Sequence, residues 1–115
     1  MVDDRLASIE REIARLRVSF VESLTQRSAD LASVWAAVAL GTWARSSAEL
    51  LHRTAHSLVG PAATFGFAPL GDSARTLTDL THSLVHVQTA AAKDLAEIEN
   101  ALRAVQTEIA TAQRG

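Results

Sequence analysis

The sequence predicts an all-α protein folded as an antiparallel four-helix bundle. Hydrophobic residues make up 48% of the chain and are mostly Ala, Leu and Val, while there are only five Gly and two Pro. Ala and Leu are strong helix formers, and Gly and Pro are the residues that interrupt helices. Long stretches also repeat their apolar residues every three or four positions, which is the period of one helix face. Because 115 residues suffice for a single hydrophobic core, we expect one domain over 1–115.

The first predicted helix begins at the N-terminus. Its apolar face comprises Val2, Leu6, Ile9, Ile13, Leu16, Phe20 and Leu24. The pattern resumes at Leu31 after a polar patch, so we expect the long N-terminal helix to bend or break over residues 25–30. Gly41 and Thr42 supply the next stop and start signals. Residues 1–20 are predicted to be a coiled-coil or dimerisation extension of the domain.

A second helix is predicted over about residues 43–65. Pro61 lies inside it and cannot donate a hydrogen bond to the carbonyl four residues back, so we expect a kink there. Gly66 should end this helix, and Pro69 suits the first turn of the next one.

From Leu70 to Ile109 the helical period continues without a Gly or Pro, apart from Gly71 at its start. A single helix of about 40 residues would be about 60 Å long, which is unusual in a small domain. A turn between about residues 86 and 92 would return the chain and close the bundle. The alternative is an uninterrupted helix that pairs with residues 2–20 as a coiled-coil hairpin.

Composition excludes several functional classes. The chain has no cysteine, so it can form neither a disulfide nor a thiolate site. A net charge of −2 argues against a nucleic-acid partner. The longest apolar stretch, 34–44, is too short to span a membrane, and the N-terminus is charged, so we expect a cytoplasmic protein with no membrane partner. No glycine-rich phosphate loop is present, so the chain should not use ATP itself.

The four histidines form two pairs, each with a spacing of four residues that places both imidazoles on one helix face: His52 with His56, and His82 with His86. Most histidines in such positions are partly exposed polar residues without a special role. A zinc site is a weaker alternative, because the helical metalloprotease pattern needs Glu directly after the first histidine and this chain has Arg53.

The segment 55–66 surrounds His56 with a specific spacing: Leu58 lies at +2, Gly60 at +4 and Gly66 at +10. Gly60 is one turn beyond His56 on the same face, where it leaves room for a partner domain, and Leu58 points toward the core. This segment resembles the signature of the histidine-phosphotransfer (HPt) domain family.

The resemblance implies a phosphorelay intermediate of two-component signalling. His56 would accept a phosphoryl group from the aspartate of one receiver domain and pass it to a response regulator. Its implied partners are a response-regulator receiver domain and a sensor or hybrid histidine kinase. The domain would need no cofactor of its own, because magnesium belongs to the receiver partner.

Two residues depart from the family pattern. Family members usually carry Lys at +3, where its ammonium leans back over the histidine, but this chain has Val59. Pro61 replaces the usual small residue. Arg53 at −3 and His52 at −4 are the nearest substitutes for the cation, although Arg53 leans away from His56.

On the following helix, family members often place a polar side chain against the phosphorylated imidazole. Thr78 and His82 are the candidates by spacing, and both are equally explicable as solvent-facing residues. Two other functions fit the sequence: a degenerate HPt domain that binds signalling partners but transfers poorly, and a coiled-coil interaction module without phosphoryl chemistry. The apolar repeats at both ends of the chain also predict a homodimer through the terminal helices.

Overall fold

Four α-helices account for nearly all of the chain in the computed structural model, which describes residues 2–41, 43–87 and 90–115. In chain order they are α1 (Val2–Ala39), α2 (Arg45–Thr64), α3 (Ala68–His82) and α4 (Ala92–Arg114). Each helix packs against the next, and α1 also packs against α4, which closes the bundle. The predicted all-α, four-helix architecture is confirmed.

The core is built from the apolar positions that the helical period identifies. Its large, fully buried aliphatic side chains are Leu24, Leu31, Leu51, Leu58, Leu70, Leu77, Ile98, Val105 and Ile109. The buried face of α2 carries the fully buried alanines Ala48, Ala55 and Ala62, and a Cβ placed at Gly71 of α3 would lie 3.6 Å from the Cβ of Ala62. Small side chains let two helix axes approach closely, and α2 packs more extensively on α3 than on α1.

The polar patch over 25–30 does not interrupt α1, so the expected break is wrong. Gln26 donates a hydrogen bond to Asp30 one turn along the helix, at 2.8 Å. Leu24 and Leu31, on either side of the patch, are both buried in the core. Burial on both sides keeps the helix continuous through the patch, so of the expected bend or break only the break is contradicted.

α2 continues through Pro61 to Thr64, so the proline does not end the helix. Pro61 leaves the backbone carbonyl of Ser57 without its usual intrahelical partner. Arg27 of α1 takes that place, because its guanidinium Nη1 lies 3.1 Å from the Ser57 carbonyl oxygen and 3.1 Å from the Ser57 hydroxyl. The side chain of a neighbouring helix thus satisfies the carbonyl that the proline exposes.

The end of α2 follows the predicted glycine stop. Gly66 has a left-handed φ of +85°. The amide of Phe67 donates to the Ala62 carbonyl at 2.8 Å, and the amide of Gly66 donates to the Ala63 carbonyl at 3.4 Å. These two bonds form a Schellman motif, which a glycine stabilises because it adopts positive φ without steric cost. Pro69 lies in the first turn of α3, as predicted.

The chain reverses between α3 and α4, as the bundle prediction required, although α3 ends earlier than expected, at His82. Two positions of this connection, 88 and 89, lie outside the described residues. The alternative of one long helix paired with residues 2–20 is wrong. The apolar face of α4 is instead buried within the bundle. None of the described helices is both long enough and apolar enough to cross a membrane.

Candidate functional site

His56 lies on the solvent-facing side of α2. The buried face of this helix is Ala48, Leu51, Ala55, Leu58 and Ala62, with the steps of three and four that the sequence predicts. His56 and Gly60 are both exposed on the other side, whereas Leu58 is fully buried. The helical period therefore determines which residues of the motif face solvent and which face the core.

Three imidazoles form a row across α2 and α3, which we call the histidine row: His56, His52 and His82. The ring centroids of His52 and His56 are 6.1 Å apart and their planes differ by only 8°. The centroids of His52 and His82 are 5.4 Å apart, with planes inclined by 40°. The sequence predicted the pairing of His52 with His56, but only helix packing brings His82 to the same row.

His52 is anchored to α3. Its Nδ1 atom lies 3.1 Å from the backbone carbonyl oxygen of Thr78 and 3.4 Å from the Thr81 hydroxyl. A carbonyl only accepts, so Nδ1 carries the proton. The Thr81 hydroxyl donates to the Leu77 carbonyl at 2.8 Å and can therefore also accept from His52. Nε2 is the remaining polar atom of the half-buried His52 ring.

Two open grooves flank the histidine row. The first groove, of about 350 Å³, is lined by Glu49, His52, Arg53, His56, His82, Val85 and His86. The second groove, of about 360 Å³, is lined by His52, His56, Val59, Arg75, Thr78, Asp79 and His82. The histidine row is shared by both grooves, so a molecule entering either one meets His56.

The His56 imidazole makes no hydrogen bond within the described parts of the chain, in contrast to His52. Gly60, one turn ahead, is equally open: no heavy atom of the neighbouring structure lies within 4 Å of a Cβ placed there. The packing of the bundle therefore does not itself require glycine at this position. Glycine at 60 instead leaves the surface beside His56 free of a side chain.

Arg75 is a site residue that the sequence analysis missed. It lies on α3 and lines the second groove together with Val59, the position where the family usually has Lys. No carboxylate within the described ranges forms an ion pair with it. The sequence feature that could have identified Arg75 is its spacing. It precedes the candidate Thr78 by three residues and therefore lies on the same helix face. Arg53 is exposed and lines the first groove.

Thr78 and His82, the two candidates on α3, differ in their exposure to solvent. The Thr78 side chain is buried and its hydroxyl donates to the Ala74 carbonyl at 2.7 Å, so the interpretation as a solvent-facing residue is wrong for Thr78. Its backbone carbonyl, not its hydroxyl, is the atom that contacts the histidine row. His82 is exposed and lines both grooves.

The described residues contain no group of three or more His, Cys, Asp or Glu side chains placed to hold a metal ion. The histidine row nonetheless brings three imidazoles together at an exposed surface. An imidazole with a free ring nitrogen is a nucleophile, and the two arginines of the flanking grooves are donors suited to an anionic group.

The fold and the site together define a small four-helix bundle that carries an exposed histidine between two grooves. The family model described as Hpt domain matches residues 2–108, nearly the whole chain. The chain therefore belongs to the Hpt domain family, whose role is histidine phosphotransfer in two-component signalling. Hpt domains interact with receiver domains and kinases in phosphorelays. No curated protein and no solved structure matches the chain significantly.

Proposed function

We propose that His56 accepts a phosphoryl group from the aspartate of a receiver domain and passes it to a response regulator. The observation that carries this proposal is the setting of His56: it is exposed, its ring is free of hydrogen bonds within the described ranges, and it stands between two grooves. Gly60 extends the open surface on the same helix face, which suits the docking of a second domain.

The transfer requires a neutral imidazole. In a neutral imidazole the unprotonated ring nitrogen carries a lone pair, which can attack phosphorus. As the nitrogen–phosphorus bond forms, the bond from phosphorus to the receiver's aspartyl oxygen breaks and the carboxylate leaves with its electron pair. The other ring nitrogen then releases its proton to water. The reverse sequence delivers the group to the next regulator.

Charged and polar neighbours would support the transferred group. Arg75 in the second groove and Arg53 in the first groove can each donate to phosphoryl oxygens. His52 is held in place through the Thr78 carbonyl, and its Nε2 is a further polar atom of the row. His82 lines both grooves and completes the row.

The chain would act without a cofactor of its own and without ATP, since magnesium and the acidic pocket belong to the receiver partner. We expect a sensor or hybrid histidine kinase to supply the phosphoryl group through that receiver, in the cytoplasm. We expect the predicted homodimer to form through α1 and not through α4, because the apolar face of α4 is buried in its own bundle.

Labelling from a chemically phosphorylated receiver tests the proposal. A panel of purified receiver domains, phosphorylated with acetyl phosphate, should give the wild-type chain an acid-labile, base-stable label. His56→Gln should abolish this label. His82→Gln and His52→Gln are matched controls, because each removes one other imidazole of the same row, and both should keep the label. Labelling that survives in His56→Gln would assign the phosphoacceptor elsewhere.

A degenerate domain that binds receivers without efficient transfer is the second candidate. It is favoured by Val59, which puts an aliphatic side chain in the second groove where the family usually has a cation. This candidate predicts measurable receiver binding with negligible labelling of the wild-type chain. Strong wild-type labelling would exclude it.

A further inference from the structure

The first part of α1 projects beyond the bundle. From residue 3 to residue 19 every side chain is exposed except the half-buried Ala7, and burial begins at Phe20. α1 has 38 residues, whereas the other helices have 15 to 23. The molecule accordingly measures 60 Å along its longest axis and only 24 and 20 Å across. We call residues 3–19 the extension.

The extension carries an apolar stripe, which consists of Leu6, Ile9, Ile13 and Leu16. Each of these side chains is 44% to 52% exposed. Their spacing of three, four and three residues is that of the core positions of a coiled coil, with isoleucine and leucine, the residues that such positions favour. A contiguous row of large exposed aliphatic side chains on one helix face marks an interaction surface.

We propose that the apolar stripe pairs with the same stripe of a second copy of this chain, and that the two extensions run antiparallel. The inference does not depend on the phosphotransfer function. It assigns to the extension a partner and an orientation, and it places the two bundles at opposite ends of a short two-helix rod.

Steric constraints favour the antiparallel orientation. The stripe lies on the same helix face as Phe20, which stacks on Phe65 with ring centroids 5.6 Å apart. The surface that a partner helix could cover therefore ends where the connection between α2 and α3 packs against α1. There Arg17 donates to the Phe65 carbonyl at 3.2 Å and lies over the Phe67 ring. A parallel partner would run its own bundle into this surface. An antiparallel partner directs its bundle away.

The charge distribution favours the same orientation. Residues 3–10 contain three acidic side chains and one basic one, whereas residues 11–19 contain three basic side chains and one acidic one. Antiparallel pairing places the acidic half of each extension beside the basic half of the other. Parallel pairing would place halves of like net charge together, although the single pair of Arg5 with Glu10 would be favourable in it.

Full overlap of the two stripes defines the pairing register. When the two-fold axis passes beside Arg11, Leu6 of one copy meets Leu16 of the other, and Ile9 meets Ile13. Every stripe residue is then covered. The two extensions, residues 3–19 of each copy, then overlap over about 25 Å, which is short for a coiled coil, so the dimer should be weak and form in the micromolar range. Glu10 would lie close to Glu10 of the second copy and Glu12 close to Glu12, and these two like-charge contacts are the unfavourable ones of this register.

Sedimentation equilibrium of the full chain tests the pairing. Between about 2 and 200 µM, the weight-average mass should rise from 12.3 kDa toward twice that value. Ile9→Glu and Ile13→Glu should stay monomeric over this range. Val18→Glu is the matched control, because Val18 is 56% exposed on the extension but off the stripe, and it should dimerise like the wild type. Circular dichroism should show unchanged thermal midpoints, since the extension lies outside the core.

Two further measurements test the antiparallel orientation of the extensions. The chain lacks cysteine, so Ser8→Cys and Ser19→Cys each allow one spin label per copy. Antiparallel pairing separates the two residues 8 by about 9 Å along the rod and the two residues 19 by about 24 Å, whereas parallel pairing gives similar distances for both. Glu10→Gln should tighten the antiparallel dimer several-fold. In a parallel dimer it would weaken association, because Glu10 would then lie beside Arg5.

A chain that stays monomeric throughout this concentration range, or a dimer that persists in Ile9→Glu and Ile13→Glu, would overturn the pairing. Equal label distances at residues 8 and 19 would overturn the orientation. Labelling of His56 by a receiver should be the same in Ile9→Glu as in the wild type. Failure of the dimer is thereby distinguished from failure of phosphotransfer.

Discussion

The Nδ1 atom of His52 lies 3.1 Å from the backbone carbonyl oxygen of Thr78, and this contact ties the α2 part of the histidine row to α3. Because the carbonyl can only accept, the contact assigns the proton to Nδ1 and leaves Nε2 as the ring's second polar atom. The imidazole next to His56 is thus held in one orientation by the backbone of another helix.

Replacing His52 should affect stability more than chemistry. His52→Ala removes the hydrogen bond to the Thr78 carbonyl and should lower the free energy of unfolding by about 1 kcal/mol. Urea denaturation measures this loss. Labelling at His56 should persist, with a rate within a few-fold of the wild type. His82→Ala is the control, because its side chain is exposed and it should unfold like the wild type.

Arg75 should supply the cation that Val59 does not. Arg75→Ala should slow transfer from a phosphorylated receiver about tenfold, because a charged hydrogen bond in an open groove is worth about 1–2 kcal/mol. Rapid-quench labelling measures the rate. Adding Val59→Lys to Arg75→Ala should restore much of it, since both positions line the second groove. If the rate falls and Val59→Lys restores none of it, Arg75 does not act as the missing cation.

A large side chain at position 60 should block the partner without disturbing the fold. No neighbouring heavy atom lies within 4 Å of a Cβ at Gly60, so Gly60→Leu has room within the chain itself. We expect at least a tenfold slower transfer and weaker receiver binding in calorimetry. Ser46→Leu adds the same side chain to an exposed position near the start of α2 and should leave both unchanged. Equal effects of the two variants would remove the case for docking at Gly60.

The contact between Arg27 and the Ser57 carbonyl should depend on Pro61. Arg27→Ala should cost about 0.5–1 kcal/mol of stability, because the carbonyl loses the donor that replaces the missing proline N–H. In a Pro61→Ala background the helix can supply its own donor, so the cost of Arg27→Ala should shrink. A double-mutant cycle by chemical denaturation measures the coupling. Additive losses would show that the two residues act independently.

The glycine at the end of α2 should be required for stability. Gly66 has φ +85°, so Gly66→Ala should lower the free energy of unfolding by about 1–2 kcal/mol. Gly66→Asn should cost less, because asparagine tolerates the left-handed region better than alanine does. Thermal unfolding of both variants checks this order.

Local sequence rules predicted most of the fold. The apolar period identified the buried faces of α2, α3 and α4 and of α1 from Phe20 onward, and Gly66 and Pro69 marked the boundary between α2 and α3. The rules failed over residues 25–30, where a polar patch suggested a break that burial of Leu24 and Leu31 prevents. Local polarity describes what a segment prefers in isolation, while burial on either side decides its course within the bundle.

The site was only partly accessible from sequence. The spacing around His56 identified the family and placed Gly60 on the same face, because both follow from a helix of 3.6 residues per turn. The sequence did not indicate that Arg75 lies near Val59, because Val59 belongs to α2 and Arg75 to α3. No sequence period connects two residues on different helices.

The sequence by itself determined the helical segments, most of their buried faces, the family and the histidine on which the proposal rests, while the turn between the last two helices stayed one of two alternatives. Tertiary structure decided which groups surround that histidine: the carbonyl of Thr78 behind His52, His82 at the end of the row, and Arg75 in the second groove. It also decided that α1 leaves its first residues outside the bundle, with an apolar stripe uncovered. The reason is that helical periodicity specifies directions around one axis, whereas neighbours across helices depend on how far each helix slides along the next.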